Sequence, residues 1–206
     1  MMDYIIHQER PEEYALVENL TREAFWNVYR PGCSEHYILH CFRERDEFIP
    51  ELDLVMEQDG KIIGHIMYVR AKIQTETGEE IPVLTFGPIS IAPAYQRKGY
   101  GKALVDASME IARQRGDRIV CIEGNIDFYG HSGFVVASTR GIHLQGEPMD
   151  AVVPYFLVKE LEEGALEGVN GVYITPAGYF VEEAAVERFD TQFPPKQKQK
   201  LPGQLV

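Results

Sequence analysis

Long apolar runs are missing from this sequence: none approaches the ~18 residues of a membrane-spanning helix, so no membrane partner is expected. Cysteine is scarce. Cys33, Cys41 and Cys121 make an odd number without framework spacing, which excludes a disulfide scaffold and fits a reducing compartment. Basic residues are outnumbered, 20 Lys and Arg against 32 Asp and Glu, and the net charge of −12 argues against nucleic acid as a partner. An acidic surface suits a cationic substrate, though it more often serves solubility. The N-terminal MMDYIIHQERPEE is acidic and has no secretory apolar core, so a cytoplasmic location is expected. Two phosphate-binding fingerprints are absent as well, with no G-x-G-x-x-G and no G-K-[ST].

The 206 residues suffice for one domain with a core that needs neither metal nor disulfide. The stretch Leu84–Leu104, LTFGPISIAPAYQRKGYGKAL, organises the rest. Its first half is apolar and β-prone, and its middle is a basic turn punctuated by glycine. Leu104, Ala107, Ser108, Ile111 and Ala112 then fall on one stripe at helical spacing. A strand that turns through glycines into a helix aims backbone N–H groups and the helix dipole at one point, which makes an anion site suited to a pyrophosphate.

Gln96-Arg97-Lys98-Gly99-Tyr100-Gly101 resembles the Q/R-x-x-G-x-G/A signature of the GNAT superfamily of acyl-CoA-dependent N-acetyltransferases, and Gly87–Pro93 looks like the strand that leads into it. A second match follows at Tyr129-Gly130-His131-Ser132-Gly133-Phe134, similar to the family's Y-x-x-x-G-F segment. The stretch from Asn125 to Tyr129 is shorter than is usual in the family, which looks like the YhbS-like branch. Residues 3–161 read as β-αα-βββ-α-β-α-ββ. The helices are expected over 11–31, 34–45 and 104–116. The strands are expected at 4–7, 53–57, 61–69, 81–91, 118–122, near 135–144, and at 155–161. The resemblance therefore implies an α/β (α+β) acyl-CoA N-acyltransferase fold over 1–161, a mixed splayed sheet flanked by helices. A C-terminal extension at 162–190 and a disordered, lysine-containing tail at 191–206 follow. The extension is expected either to cover the acceptor side of the cleft or to build a homodimer interface.

The resemblance implies acetyl-CoA as acyl donor and an amine as acceptor, with no metal. Pantetheine is expected along Ile89, Ser90 and Ile91, in β-augmentation fashion. The pyrophosphate is expected among Gln96, Arg97, Lys98, Gly99, Tyr100, Gly101 and Lys102, with Asn125, Phe128 and Tyr129 as further cofactor contacts. Tyr129 is the implied proton donor to the departing thiolate, its phenol having an intrinsic pKa near ~10. The glutamate that many members carry on the strand before the loop is absent from Phe86–Ala92. Glu123 is the first choice for a base and Glu51 the next, with Asp127 and His131 as further options. No cysteine stands in a nucleophile context, which favours direct transfer in a ternary complex. A competing class is a non-catalytic acyl-CoA-binding module. Cys33, His36, His40 and Cys41 include two histidines at i,i+4, but Cys41 points about 100° away from its neighbour, which argues against a closed four-ligand metal site. His7, His65 and His143 read as structural.

Overall fold

The computed structural model describes residues 3–205. Strand β1 (Ile5–Gln8) is followed by a 3-10 turn at Pro11–Glu13 and helix α1 (Tyr14–Phe25). Pro11 supplies the turn's first residue, and Glu13 accepts from the Arg10 backbone N–H at 2.8 Å. Val17, Leu20 and Thr21 form the buried stripe of α1. The helix stops at Phe25, before the Pro31-Gly32 pair at which the sequence predicts its end. Asn27 enters the left-handed region (φ 61) and its side chain accepts from the Gly32 N–H at 2.8 Å, closing a loop instead. Helix α2 (Glu35–Phe42) buries His36, Leu39 and Phe42.

Strands β2 (Leu54–Gln58) and β3 (Lys61–Gln74) pair antiparallel through the expected turn, with Gln58 opposite Lys61 and both Asp59 and Gly60 at positive φ. Strand β4 (Glu80–Ile91) leads through a 3-10 turn into α3 (Tyr100–Gln114), then β5 (Ile119–Glu123) and the short helix α4 (Ile126–Tyr129). The expected strand near 135–144 is two strands, β6 (Val135–Val136) and β7 (Ile142–Leu144). A 3-10 turn at Ala137–Arg140 ends at Gly141, whose φ of 75 redirects the chain. As a result β6 pairs with β8 (Phe156–Glu160), while β7 pairs with β9 (Gly171–Ile174). The mixed, splayed sheet runs β1-β2-β3-β4-β5-β8-β6, with β9 joining β3 and β7 off that path. Strands β4 and β5 are parallel with one register pair, Leu84 opposite Val120.

The described residues form two compact units. The first comprises residues 3–67, 88–104 and 177–205. Its core includes Val17, Leu39, Phe42, Leu52, Val55 and Ile66, each worth about 1.5–3 kcal/mol on burial. Polar groups are buried here too. Arg43 grips Glu9 at 2.8 and 2.9 Å, and His65 Nε2 lies 2.6 Å from Asp53 Oδ1. Burial raises the pKa of both Glu9 and Asp53 and lowers that of His65 to about 4, so the imidazole is neutral. His65 therefore packs as a structural residue.

The second unit, residues 68–87 and 105–176, has a core that includes Ile73, Val83, Cys121, Ile142, Phe156, Val158 and Tyr173. The stretch 162–190 divides between the units: β9 adds to the sheet of the second, and helix α5 (Glu183–Asp190) packs in the first. There Asp190 accepts from Arg22 Nε at 2.6 Å and Nη2 at 3.1 Å, although the two residues are 168 apart in sequence. The tail, expected to be disordered from its low complexity, instead makes specific contacts. Gln197 O accepts from Trp26 Nε1 and Asn27 Nδ2 at 3.1 Å each, the Gln199 N–H donates to Asn27 Oδ1 at 3.0 Å, and Lys196 pairs with Glu23 at 2.8 Å. Composition missed this because the partners, polar groups at the end of α1 and just beyond it, are far away in sequence.

Candidate acyl-CoA site

The basic loop is built by its own backbone. Tyr95 N–H donates to Ala92 O at 2.7 Å, and Ala92 N–H donates to Ile63 O at 2.8 Å, which fixes the end of β4 against β3. Arg97 (φ 58) and Gly99 (φ 89) are left-handed, so the chain curls under the start of α3. Lys98 Nζ closes the curl on Ala94 O at 2.7 Å. The ladder of α3 starts with Ala103 N–H to Gly99 O at 3.1 Å. Among the described residues no backbone acceptor is found for the N–H groups of Arg97, Gly99, Tyr100 and Gly101. Gln96, Arg97, Lys98, Gly99 and Lys102 are exposed. Unsatisfied donors, exposed cations and the positive end of a fifteen-residue helix fit a pyrophosphate.

Two of the expected contacts take other roles. Tyr100 is buried, donates to Gln58 Oε1 at 3.0 Å and meets Tyr4 and Tyr95 edge-on, so its side chain anchors the loop while its N–H remains with the cradle. The Ser90 hydroxyl is turned inward, donating to Thr21 Oγ1 at 2.9 Å; only its backbone is left for a ligand. Ile89 and Ile91 are half-buried on the alternate face of β4. Ile91 O accepts from Gln96 Nε2 at 2.9 Å, which ties the strand to the loop. A Cβ on Gly64 would fall 2.7 Å from Ile91 Cδ1, so the end of the Ile91 side chain fills the space that this glycine leaves on β3.

The second group of site residues surrounds Tyr129. Asn125 opens α4, its Oδ1 accepting from the Asp127 N–H at 2.9 Å. That cap occupies the side-chain oxygen and leaves the amide nitrogen for the expected pantetheine contact. Tyr129, half-buried, stands among Phe86, Phe128 and Phe134 at centroid distances of 5.7, 4.8 and 5.8 Å. Its ring covers Gly124. Glu123 closes β5; it is exposed by area, yet partial desolvation raises its pKa above the ordinary carboxylate value. Asp127 and His131 are exposed. Glu51 sits in a 3-10 turn at Pro50–Leu52 in the first unit, apart in sequence and element from the Glu123–Tyr129 group.

Two supports went unread in the sequence. Tyr68 Oη lies 2.8 Å from Ser108 Oγ, which donates to Val105 O at 2.9 Å, and the Tyr68 ring backs Phe86 at 5.1 Å. Burial raises the Tyr68 pKa, so this phenol stays neutral. Within an apolar strand run Tyr68 carries no signal beyond that of a core residue. The Cys33–Cys41 constellation does not converge: Cys33 Sγ is 3.4 Å from His36 Nδ1, whereas His40 Nδ1 faces Glu18 Oε1 at 2.9 Å.

Comparison with known proteins agrees with this architecture. The YhbS N-acetyltransferase of Escherichia coli, solved in complex with CoA, superimposes with a TM-score of 0.74 at 22% identity, over 87% of this chain and 93% of that one. A GNAT family acetyltransferase from Brucella melitensis, solved with acetyl-CoA, gives 0.69 at 24% identity, over 87% and 100%. The uncharacterized N-acetyltransferase YjhQ of E. coli K12 is 31% identical over 85 residues, 41% of this chain; the match spans just under half of that relative's length, 46%. The sequence model of the Acetyltransferase (GNAT) family matches residues 17–134, a span that takes in most of α1, the basic loop and Tyr129. The chain belongs to the GNAT acetyltransferase family.

Proposed function

We propose that the chain transfers the acetyl group of acetyl-CoA to an amine by direct attack in a ternary complex. The observation that carries this reading is the cradle of open backbone N–H donors between Arg97 and Gly101 at the head of α3. Acetyl-CoA supplies the activated carbonyl and a thiolate leaving group. The loop holds the pyrophosphate, and the β4 backbone around Ile89 orients the pantetheine. The amine nitrogen bonds to the carbonyl carbon, the carbon–sulfur bond breaks with its electron pair on sulfur, and the Tyr129 hydroxyl delivers a proton to that sulfur. Glu123 takes the proton that the amine sheds, directly or through water; its raised pKa makes it a better acceptor than an ordinary carboxylate. All three cysteines are free, which agrees with a cytoplasmic setting.

The test is release of free thiol from acetyl-CoA across a panel of primary amines, with Tyr129→Phe as control. Amine-dependent thiol release that drops about 10²-fold or more in the variant supports the reading. Saturable acetyl-CoA binding with no consumption under any amine would replace it with the binding-module alternative. A ping-pong pattern would overturn direct transfer.

A further inference from the structure

We propose that His7, Glu13 and Glu57 form a site for one divalent transition-metal ion of the zinc class, which clips β1, β2 and the turn before α1 together. The three side chains come from separate elements of the first unit. His7 on β1 lies opposite Val55, and Glu57 on β2 lies two residues beyond, so the two are diagonal neighbours on one sheet face. Glu13 reaches the same face from the end of the 3-10 turn. One ligand atom from each side chain lies within 4.8 Å of the others.

The histidine presents the right nitrogen. His7 Nδ1 lies 2.9 Å from Gln8 O, an acceptor only, so Nδ1 carries the proton and Nε2 presents a lone pair to the carboxylates. Nε2 is 3.6 Å from Glu57 Oε2 and 3.9 Å from Glu13 Oε1, too far for hydrogen bonds. Ligand atoms about 2.0–2.1 Å from a tetrahedral zinc ion stand roughly 3.3 Å apart, so both carboxylates must draw closer to His7 Nε2 and to each other for an ion to bind. The Glu13 carboxylate is already aimed, because its Oε2 accepts from the Arg10 N–H at 2.8 Å.

Access and competition both allow it. The His7 and Glu57 side chains are 26% and 25% exposed, which gives an ion a path in and leaves a fourth position for water. Arg10 Nη2 occupies Glu13 Oε1 at 2.5 Å, but the Arg10 side chain is 57% exposed and its Nε already faces Glu12 at 3.7 Å, a second partner to which it can swing. The other cluster of this kind among the described residues, Glu9, Asp53 and His65, is sealed and already neutralised by Arg43, so it offers no entry. None of the three proposed ligands belongs to the acyl-CoA machinery.

The test is calorimetric titration of Zn²⁺ into untagged full-length chain, with Co²⁺ absorption in the visible as a check on ligand geometry. The expected result is one saturable equivalent in the wild type, with Kd raised at least tenfold in both His7→Ala and Glu57→Gln and unchanged in His40→Ala. Circular dichroism in EDTA verifies that each chain is folded. Glu57→Gln, at the rim, keeps the test decisive if His7→Ala fails that check. Absence of a one-equivalent isotherm in the wild type overturns the site. Wild-type affinity in Glu57→Gln, or an equal loss in His40→Ala, overturns it as well by placing the ion elsewhere.

Discussion

The ring of Tyr129 lies against the α-carbon of Gly124: a Cβ built at position 124 falls 2.3 Å from Tyr129 Cε2 and 2.7 Å from Cδ2. Gly124 has an ordinary backbone conformation, so alanine there meets no backbone penalty and only the ring has to yield. Phe86, Phe128 and Phe134 flank that ring and limit where it can go. Gly124→Ala is expected to lower kcat by about 10-fold or more through a misplaced hydroxyl, with KM for acetyl-CoA changed far less. Steady-state kinetics beside Tyr129→Phe check this. If the loss comes through Tyr129, the double variant is no worse than Tyr129→Phe alone.

The loop makes a separate demand on position 99. Gly99→Glu puts a side chain on a residue at φ 89 and a negative charge among the donors meant for phosphate. Acetyl-CoA at 100 times its Kd is expected to stabilise the wild type by about 2.7 kcal/mol. Thermal melts with and without the cofactor are expected to show that gain vanish in the variant. A wild-type-sized gain in Gly99→Glu contradicts the placement of the pyrophosphate.

How far each part was readable follows from how local its causes are. The loop and α3 were legible because strand, turn and helix are consecutive and the turn closes on itself, as Lys98 does on Ala94; the anchoring of Tyr100 on Gln58, 42 residues away, was not. Tyr129 was found by family resemblance, but its seat on Gly124 was not, since five residues of spacing say nothing about a ring stacking on a backbone. The division of 135–144 into β6 and β7 depends on β9, a strand some thirty residues onward whose pairing no local pattern announces. Ser90 illustrates the same limit: its alternation in β4 was plain, but Thr21, the partner that turns it inward, is 69 residues away.

Buried histidine gives the fold an acid limit. His36 is fully buried, with Nδ1 3.4 Å from Cys33 Sγ and Nε2 3.2 Å from Asp190 Oδ1. Desolvation lowers its pKa from 6.5 to about 4. Above pH 6.5 it is neutral in both states and costs nothing. As pH falls from 6.5 toward 4 the unfolded chain takes up a proton that the native chain refuses, so stability drops by about 1.4 kcal/mol per pH unit, roughly 3 kcal/mol in all. Urea midpoints between pH 7 and 4 are expected to fall less steeply for His36→Gln, by one proton's worth of slope. Parallel slopes would show that His36 is not responsible.

The seam between β9 and β3 leaves no room for a methyl group. A Cβ on Gly171 falls 2.4 Å from the carbonyl oxygen of Gln74, and backbone cannot swing aside as a side chain can. Gly171→Ala is expected to destabilise the chain by about 1–3 kcal/mol by forcing β9 off the Val172–Gln74 register. Denaturant unfolding checks this, and a change within about 0.5 kcal/mol argues that β9 is dispensable.

The chain contains a single tryptophan, and it stands where the C-terminal tail docks. The Trp26 indole N–H donates to Gln197 O, Arg22 lies over the ring at 4.3 Å, and the Lys196 ammonium lies 5.4 Å from its centre. The protein thus carries its own optical gauge of tail attachment. Emission excited at the indole band reports that one junction without a dye, and a cut after Phe193 would move its colour and intensity while the rest of the molecule stays dark.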